Sequence, residues 1–263
     1  MRVRSVEEKI DISHSPWFYV PKPNYKAKLR LFCFPYAGGT AEIYHDWQYK
    51  LPEEIEMVAI HYPGHIQRSR ENLFRRLSSL VESISGEIEQ YMDKPCAFFG
   101  HSMGALIAYE LSQHFVSEDK KMPEYLFLSA RRAPHLPVIH PYMHKLSTEE
   151  CVSVMRGFDM VPDEVSDNKP LIEKILPMLK ADFEMIETWQ FDIEVSPLDI
   201  PICAFGGTND KLASKKDIEA WEKMTSGEFN AYFFPEKHFF ILNNEVRTQL
   251  IRILVKMLRP LLR

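Results

Sequence analysis

The chain has 263 residues, of which 45% are hydrophobic and 26% are charged, and this composition excludes the disordered, collagenous and membrane-embedded classes of protein. Its 32 Lys and Arg residues and 37 Asp and Glu residues give a formal charge of −5 at pH 7. This balance provides no general positive field to attract nucleic-acid phosphates or an anionic membrane surface, so we expect neither as a partner.

The start of the chain and its cysteines predict a cytoplasmic protein without a metal centre. The first twenty residues carry several charges and no continuous apolar stretch of the secretory type, and no segment approaches the roughly 20 apolar residues of a membrane-spanning helix. No two cysteines have C-x-x-C spacing, and three lie in apolar runs, so we interpret them as small buried hydrophobes. They are Cys33, Cys96, Cys151 and Cys203.

Short apolar runs alternate with longer stretches of helical periodicity, which predicts an α/β fold with a mostly parallel central sheet. Residues 73–92 and 105–116 have the helical pattern, and a last helix with one buried face is predicted from Val246 onwards. We assign residues 28–263 to one domain, preceded by an N-terminal extension over residues 1–27. The strand candidates are residues 28–34, 56–62, 96–99, 125–129, 202–205 and 229–234.

Residues 134–197, here called the insertion, contain no strand-like run, and we interpret them as a helical lid inserted into the domain. Ser147 followed by Glu150 is a capping-box pattern that predicts the start of a helix. Pro170 suits the first position of another helix. Pro177 is expected to kink that second helix or to divide it in two.

Residues 100–104 read Gly-His-Ser-Met-Gly, the G-x-S-x-G pattern of a nucleophile elbow. The pentapeptide alone is also compatible with an ordinary turn. Here it directly follows a predicted strand and directly precedes a predicted helix, and its glycines remove side chains that would clash at so sharp a reversal. This position favours Ser102 as a nucleophile.

A serine nucleophile at such an elbow requires an acid and then a histidine later in the chain, each on a loop after a strand. Asp210 closes the loop after the strand at 202–205, and His238 follows the strand at 229–234. Loops that follow parallel strands meet at one edge of the sheet. We therefore expect Ser102, Asp210 and His238 to converge there as a catalytic triad.

Other histidines and aspartates fit this order less well. His101 adjoins the serine but points elsewhere at an elbow, so we expect a packing or polar role for it. Asp199 precedes a strand, and Asp217 falls inside a predicted helix. The histidines that lie before or within the insertion break the order of serine, acid and histidine: His61, His65, His135, His140 and His144.

Acyl transfer also requires two N–H donors for the oxyanion. Met103, which follows the serine, supplies the first. Residues 35–40 read Pro-Tyr-Ala-Gly-Gly-Thr directly after the first predicted strand, and such small residues allow the backbone to approach a substrate closely. We assign the second donor to Ala37, although the same residues also fit a plain glycine turn.

Five segments together make the chain similar to the type II thioesterases, stand-alone α/β-hydrolases that accompany nonribosomal peptide and polyketide synthetases. The similarity runs from about residue 28 to the carboxyl end, and three positions depart from the family pattern. Lys237 lies in a loop that commonly reads Gly-Asp-His, and His65 and Lys180 each stand where arginine is usual. The five segments are residues 34–39, 100–105, 131–134, 180–183 and 238–240.

The resemblance implies a thioesterase that removes stalled or mis-primed acyl groups from the phosphopantetheine arm of acyl or peptidyl carrier protein domains, without a cofactor of its own. We expect it to act as a monomer. A general carboxylesterase or lipase that hydrolyses oxygen esters is the alternative activity. A noncatalytic protein of the same fold that binds synthetase domains is a third interpretation.

For two groups of residues, the sequence allows more than one role. Arg131 and Arg132 suit contacts with the pantetheine phosphate or with carrier-protein carboxylates, and equally suit structural ion pairs. Four apolar residues of the insertion offer surface to an acyl chain, but they suit packing between lid and core at least as well. They are Met155, Phe158, Met160 and Val161.

Overall fold

A seven-stranded sheet forms the centre of the protein in the computed structural model, which describes residues 12, 15–161 and 163–263, apart from the side chains of residues 163 and 164. The strand order is β1-β3-β2-β4-β5-β6-β7, in which β1 is antiparallel to β3 and every other neighbouring pair is parallel. The predicted, mostly parallel sheet is thus confirmed. The strands are β1 (Phe18–Tyr19), β2 (Leu29–Phe34), β3 (Ile55–Ile60), β4 (Cys96–His101), β5 (Tyr125–Ser129), β6 (Ile202–Gly207) and β7 (Phe229–Phe234).

Each of the six predicted apolar runs forms a strand, but two strands continue further than predicted. β4 extends to His101 and β6 to Gly207, through glycines whose strand propensity is low. Gly100 and His101 pair with Leu128 and Ser129 of β5. Because neighbouring strands supply hydrogen bonds along this length, the sheet overrides the low strand propensity of glycine.

Helices cover both faces of the sheet. Along β2, Leu29, Leu31 and Cys33 belong to one buried cluster, whereas Phe32 and Phe34 belong to the other, as expected for a parallel sheet buried on both sides. None of the helices in the described part of the chain is long and apolar enough to cross a membrane. The helices are α1 (Leu77–Ile88), α2 (Met103–Ser117), α3 (Thr148–Gly157), α4 (Asp163–Ser166), α5 (Lys169–Thr188), α6 (Lys215–Glu219) and α7 (Asn244–Leu258).

The predicted N-terminal extension differs from the structure where it is described. Residues 1–11, 13 and 14 lie outside the described residues, but Phe18 and Tyr19 form β1, an edge strand of the sheet. Trp17 and Phe18 are buried in the core, and the Arg68 guanidinium stacks 4.2 Å from the centre of the Trp17 ring. This apolar burial attaches the segment to the domain, which the prediction of an N-terminal extension missed.

The insertion between β5 and β6 contains α3, α4 and α5. The predicted capping box is present: the Ser147 hydroxyl accepts the Glu150 N–H at 3.2 Å, and the Glu150 carboxylate accepts the Ser147 N–H at 2.7 Å. Of the two outcomes predicted at Pro177, a kink or a division, the division is wrong, since α5 runs through the proline as one helix. Buried residues on both sides of the proline, including Leu176 and Leu179, hold the helix against the core and offset the missing N–H.

Candidate active site

Ser102 occupies a sharp turn between the end of β4 and the start of α2. Its backbone angles, φ 54° and ψ −114°, are rare for a residue with a side chain. A Cβ atom at Gly100 would lie 2.1 Å from the Gly104 carbonyl oxygen, and one at Gly104 would lie 2.0 Å from the Phe34 carbonyl oxygen. The elbow therefore requires glycine at both positions, because Gly100 lies against the start of α2 and Gly104 lies against the end of β2.

The structure brings Ser102, Asp210 and His238 together. His238 Nε2 lies 3.0 Å from Ser102 Oγ, and His238 Nδ1 lies 2.8 Å from Asp210 Oδ2. The other oxygen of Asp210 accepts the Leu212 N–H at 2.8 Å and the Ala213 N–H at 3.3 Å, which fixes the carboxylate toward the imidazole. The side chains of Asp210 and His238 are buried, so water competes little for this pair.

His101 has a structural position behind the triad. It is fully buried, its Nδ1 lies 2.9 Å from Ser129 Oγ, and its ring lies 5.5 Å from that of His238. Burial, with a smaller contribution from His238, holds the pKa of His101 well below its usual range. A neutral His101 adds no second positive charge when His238 accepts a proton.

The two aspartates that fit the position of the triad acid less well have partners outside the triad. Asp199 accepts a hydrogen bond from the Ser226 hydroxyl at 3.1 Å. Asp217 caps α6 through Ser214 and pairs with Arg132 at 3.1 Å. Both carboxylates are thus occupied in structural contacts.

The two expected oxyanion donors come from two different segments of the chain. Met103 is the first residue of α2, where backbone N–H groups have no partner within the helix. Ala37 lines the same cavity as Ser102, on the loop that follows β2. The Tyr62 hydroxyl donates to the Pro35 carbonyl at 3.2 Å, and the Asp182 carboxylate accepts the Gly38 N–H at 2.8 Å, so this loop is held from both sides.

Sequence reasoning assigned no role to Asp182 or to its contact with His65. Asp182 lies on the buried face of α5, is 2% exposed, and its Oδ2 lies 3.0 Å from His65 Nε2. A signal was present, because Asp182 falls at helical spacing among Leu179, Phe183 and Ile186. A carboxylate on an apolar helix face needs a buried partner, but the sequence does not identify which partner it finds.

A cavity of about 1370 Å³ opens at the triad and lies largely under the insertion. Met155, Met160 and Val161 line this cavity. Met155 and Met160 are also buried in the core, so each of them both packs against the core and offers surface to the cavity. Phe158 packs against the core and lies 6.2 Å from the ring of His140.

The two arginines after β5 differ in their surroundings, although both line the cavity. Arg132 forms the structural ion pair with Asp217. Burial, with a smaller contribution from the charge of Arg132, lowers the pKa of Arg131 to about 10. This value leaves Arg131 positively charged at neutral pH.

Comparison with known proteins identifies the family. A family model described as "Thioesterase domain" matches residues 29–258. The chain belongs to the thioesterase family. This thioesterase is therefore a hydrolase of the α/β-hydrolase fold, as the similarity of its motifs predicted.

Individual relatives support the same assignment. This thioesterase is 37% identical to the gramicidin S biosynthesis protein GrsT of Aneurinibacillus migulanus over 246 residues, which cover 94% of this chain and 95% of GrsT. The structure of RedJ, a thioesterase of the prodiginine pathway in Streptomyces coelicolor, matches with a TM-score of 0.81 and 35% identity, covering 87% of this chain and 89% of RedJ. The structure of BorB, a type II thioesterase of the borrelidin biosynthetic cluster, matches with a TM-score of 0.82 and 30% identity, covering 96% of this chain and 98% of BorB. The predicted resemblance to type II thioesterases is confirmed.

The three departures from the family pattern form contacts within the chain. His65 pairs with Asp182. Lys180 donates to the Leu146 carbonyl within the insertion. Lys237, next to the triad histidine, lies 2.9 Å from Asp159 of the insertion.

Proposed function

We propose that the protein hydrolyses acyl thioesters attached to the phosphopantetheine arm of acyl or peptidyl carrier protein domains in nonribosomal peptide or polyketide synthesis. The observation that carries the proposal is the 3.0 Å contact of His238 with Ser102 at the mouth of a large cavity, in a member of the thioesterase family. The relatives named for gramicidin S and borrelidin biosynthesis support this substrate class.

In the proposed reaction, His238 Nε2 takes the proton of Ser102 Oγ as that oxygen attacks the thioester carbonyl carbon. Asp210 fixes the imidazole tautomer and stabilises the imidazolium. The C–S bond then breaks, His238 returns the proton to the departing sulfur, and an acyl-serine remains. Because a thiol has a pKa of about 8.5, it leaves readily.

Hydrolysis of the acyl-serine repeats the same steps with water. His238 takes a proton from water, the resulting oxygen attacks the ester carbonyl, and His238 returns the proton to Ser102 as the acid departs. The N–H groups of Met103 and Ala37 hold the oxyanion of both tetrahedral intermediates. Since nucleophile, base and oxyanion donors all come from the chain, we propose that the reaction requires no cofactor.

The cavity suits an acyl group because aliphatic and aromatic residues of the insertion form much of its wall, including Leu179, Phe183 and Ile186. We propose that the insertion acts as a lid over the acyl chain, and that the enzyme edits stalled or mis-primed carrier domains as a monomer. The four cysteines are free, as is usual in a reducing compartment, which supports a cytoplasmic location.

The proposed function is tested by comparing acyl groups loaded on carrier protein with p-nitrophenyl esters of the same acids. We expect a kcat/KM at least about tenfold higher for the carrier-bound thioester, since its phosphopantetheine arm and carrier domain add binding energy in the transition state. Acyl-N-acetylcysteamine is the matched control, because it keeps the thioester and removes the carrier. Equal or faster hydrolysis of the oxygen ester would favour a general carboxylesterase.

A further inference from the structure

Asp182 connects the insertion to the loop that carries the proposed oxyanion donor Ala37. One oxygen of its carboxylate, Oδ2, lies 2.8 Å from the Gly38 N and 3.0 Å from His65 Nε2. Gly38 has φ 73°, a conformation that favours glycine, and it directly follows Ala37. The position of the Ala37 N–H therefore depends on a contact made by a helix that lies 144 residues further along the chain.

Both ring nitrogens of His65 face acceptors. Nε2 faces the Asp182 carboxylate at 3.0 Å, and Nδ1 faces the Pro63 carbonyl oxygen at 3.3 Å. A neutral imidazole has one N–H and satisfies one acceptor, whereas an imidazolium has two and satisfies both. With the ring 6% exposed, the geometry favours the protonated form.

The surroundings of His65 contain few other ionisable groups among the described residues. The ring of Tyr62 packs edge-on at 5.5 Å, and its hydroxyl donates to Pro35. Arg68 contacts His65 through its backbone N–H, while its guanidinium is held by Glu71 and the His61 carbonyl. Burial by itself lowers the pKa of His65, but the charge and hydrogen bond of Asp182, together with the Pro63 carbonyl, outweigh burial, so the net pKa is raised.

We propose that Asp182 and His65 form a positioning pair that holds the Ala37–Gly38 loop in place for the oxyanion, and that loss of the His65 proton as the pH rises loosens the loop and lowers kcat. The inference rests on the proposed serine mechanism but not on the identity of the acyl carrier. Both residues act through the loop and do not touch the reacting atoms. Where the family usually has a permanently charged arginine, this chain therefore has a titratable partner for the carboxylate.

The direction of the pH effect follows from the raised pKa. The ion pair is complete at pH values below the folded pKa of His65 and is lost as the pH rises through it. We expect kcat to fall as the pH rises and His65 loses its proton, a fall here called the alkaline decline.

The test compares kcat and KM across pH for wild type, His65→Arg and His65→Gln, with a p-nitrophenyl ester as substrate. We expect His65→Arg to abolish the alkaline decline, because arginine keeps its charge. We expect His65→Gln to have a kcat about tenfold below the wild-type maximum at all pH values, without the alkaline decline and with little change in KM, a loss smaller than the 10²–10³ of deleting an oxyanion donor. His114→Gln, at the far end of α2, is the matched control and should keep the wild-type profile.

Asp182→Asn provides an independent variant. Its side-chain oxygen still accepts the Gly38 N–H, but the negative charge that retains the His65 proton is gone. We expect the alkaline decline to move to lower pH, and NMR titration of the His65 ring to show the same downward movement. Superimposable pH profiles for wild type, His65→Arg and Asp182→Asn would overturn the proposal, as would a measured His65 pKa below that of a free histidine.

The rate of Ser102 labelling by a fluorophosphonate separates this inference from the proposed function. Labelling forms a phosphonyl-serine and uses the same oxyanion donors without a carrier protein or turnover. The positioning pair is supported if the labelling rate of wild type declines as the pH rises and that of His65→Arg does not. This result would count even if the protein hydrolysed no carrier-bound thioester. Identical labelling rates for the two proteins across pH would contradict it.

Discussion

Ser102 holds a backbone conformation that costs energy by itself. A side-chain-bearing residue outside the common regions of φ and ψ costs about 1–3 kcal/mol and persists where the surrounding structure requires it. Here the buried β4 fixes one side of the turn and α2 fixes the other, and both approach so closely that a Cβ atom at either flanking glycine would clash. The packing of these elements offsets the cost, and the turn places the hydroxyl beside His238.

Replacing the proposed nucleophile tests this interpretation directly. Ser102→Ala should abolish covalent labelling by a fluorophosphonate and the formation of an acyl-enzyme, both measured by intact-protein mass spectrometry. Ser117→Ala is the control, since its hydroxyl caps the other end of α2 by donating to the His114 carbonyl. Labelling of the Ser102→Ala protein at the wild-type rate would mean that another residue is the nucleophile.

The Asp210 carboxylate has a defined task that an amide does not perform. Asp210→Asn keeps the size of the side chain but favours the wrong imidazole tautomer, so we expect kcat to fall by about 10⁴, as in other serine triads. Asp199→Asn is the matched control, because that carboxylate bonds to Ser226. Near-normal turnover of the Asp210→Asn protein would shift the role to another acid.

At the scale of elements, the insertion is attached to the loops of the triad by charge. Asp159 lies 2.7 Å from Lys211 and 2.9 Å from Lys237, which are the chain neighbours of Asp210 and His238. Both lysines are more than half exposed, so each ion pair is worth about 0–1 kcal/mol. In the proposed lid, contacts of this size would hold the insertion beside the triad loops without preventing it from opening.

Removing this attachment should loosen the insertion and leave the sheet unchanged. In Asp159→Asn, we expect amide hydrogen exchange in α3 and α5 to become faster by up to about fivefold for each lost ion pair, with exchange in β4 and β5 unaltered. Glu219→Gln, which removes an exposed pair with Lys215 in α6, is the control. Unchanged exchange in the insertion would show that apolar packing alone holds it.

At the scale of the whole molecule, stability depends on keeping His101 neutral in the core. The folded pKa of His101 is depressed, whereas the unfolded chain binds a proton near pH 6.5. Below that pH the unfolded state binds more protons, so the free energy of unfolding decreases as the pH falls. The decrease continues until the pH reaches the folded pKa.

The contribution of His101 is measurable as a difference between proteins. In urea unfolding below about pH 6.5, wild type should lose up to about 1.4 kcal/mol per pH unit more than His101→Gln, whose side chain does not titrate. His114→Gln, outside the core, is expected to follow the wild type. Parallel pH dependences for wild type and His101→Gln would show that His101 becomes protonated in the folded state.

Much of the fold was predictable because its signals are local. Six apolar runs became strands, and the capping box at Ser147 began a helix, since burial on both faces and end-capping act over a few neighbouring residues. The edge strand β1 and the unbroken α5 were not predictable in this way. Both depend on contacts with distant parts of the chain: β1 pairs with β3, and the buried residues beside Pro177 outweigh its local effect.

The sequence by itself determined which residues were candidates for the site. The elbow pattern lies between a strand and a helix, and Asp210 and His238 follow later strands in the required order. Loops after parallel strands meet at one edge of the sheet, so this order is enough to select the three residues. The tertiary structure alone decided their distances, the neutral position of His101 and the pairing of Asp182 with His65 across 117 residues. Hydrogen bonds between distant segments depend on angstrom-scale packing of both, and no local pattern contains that information.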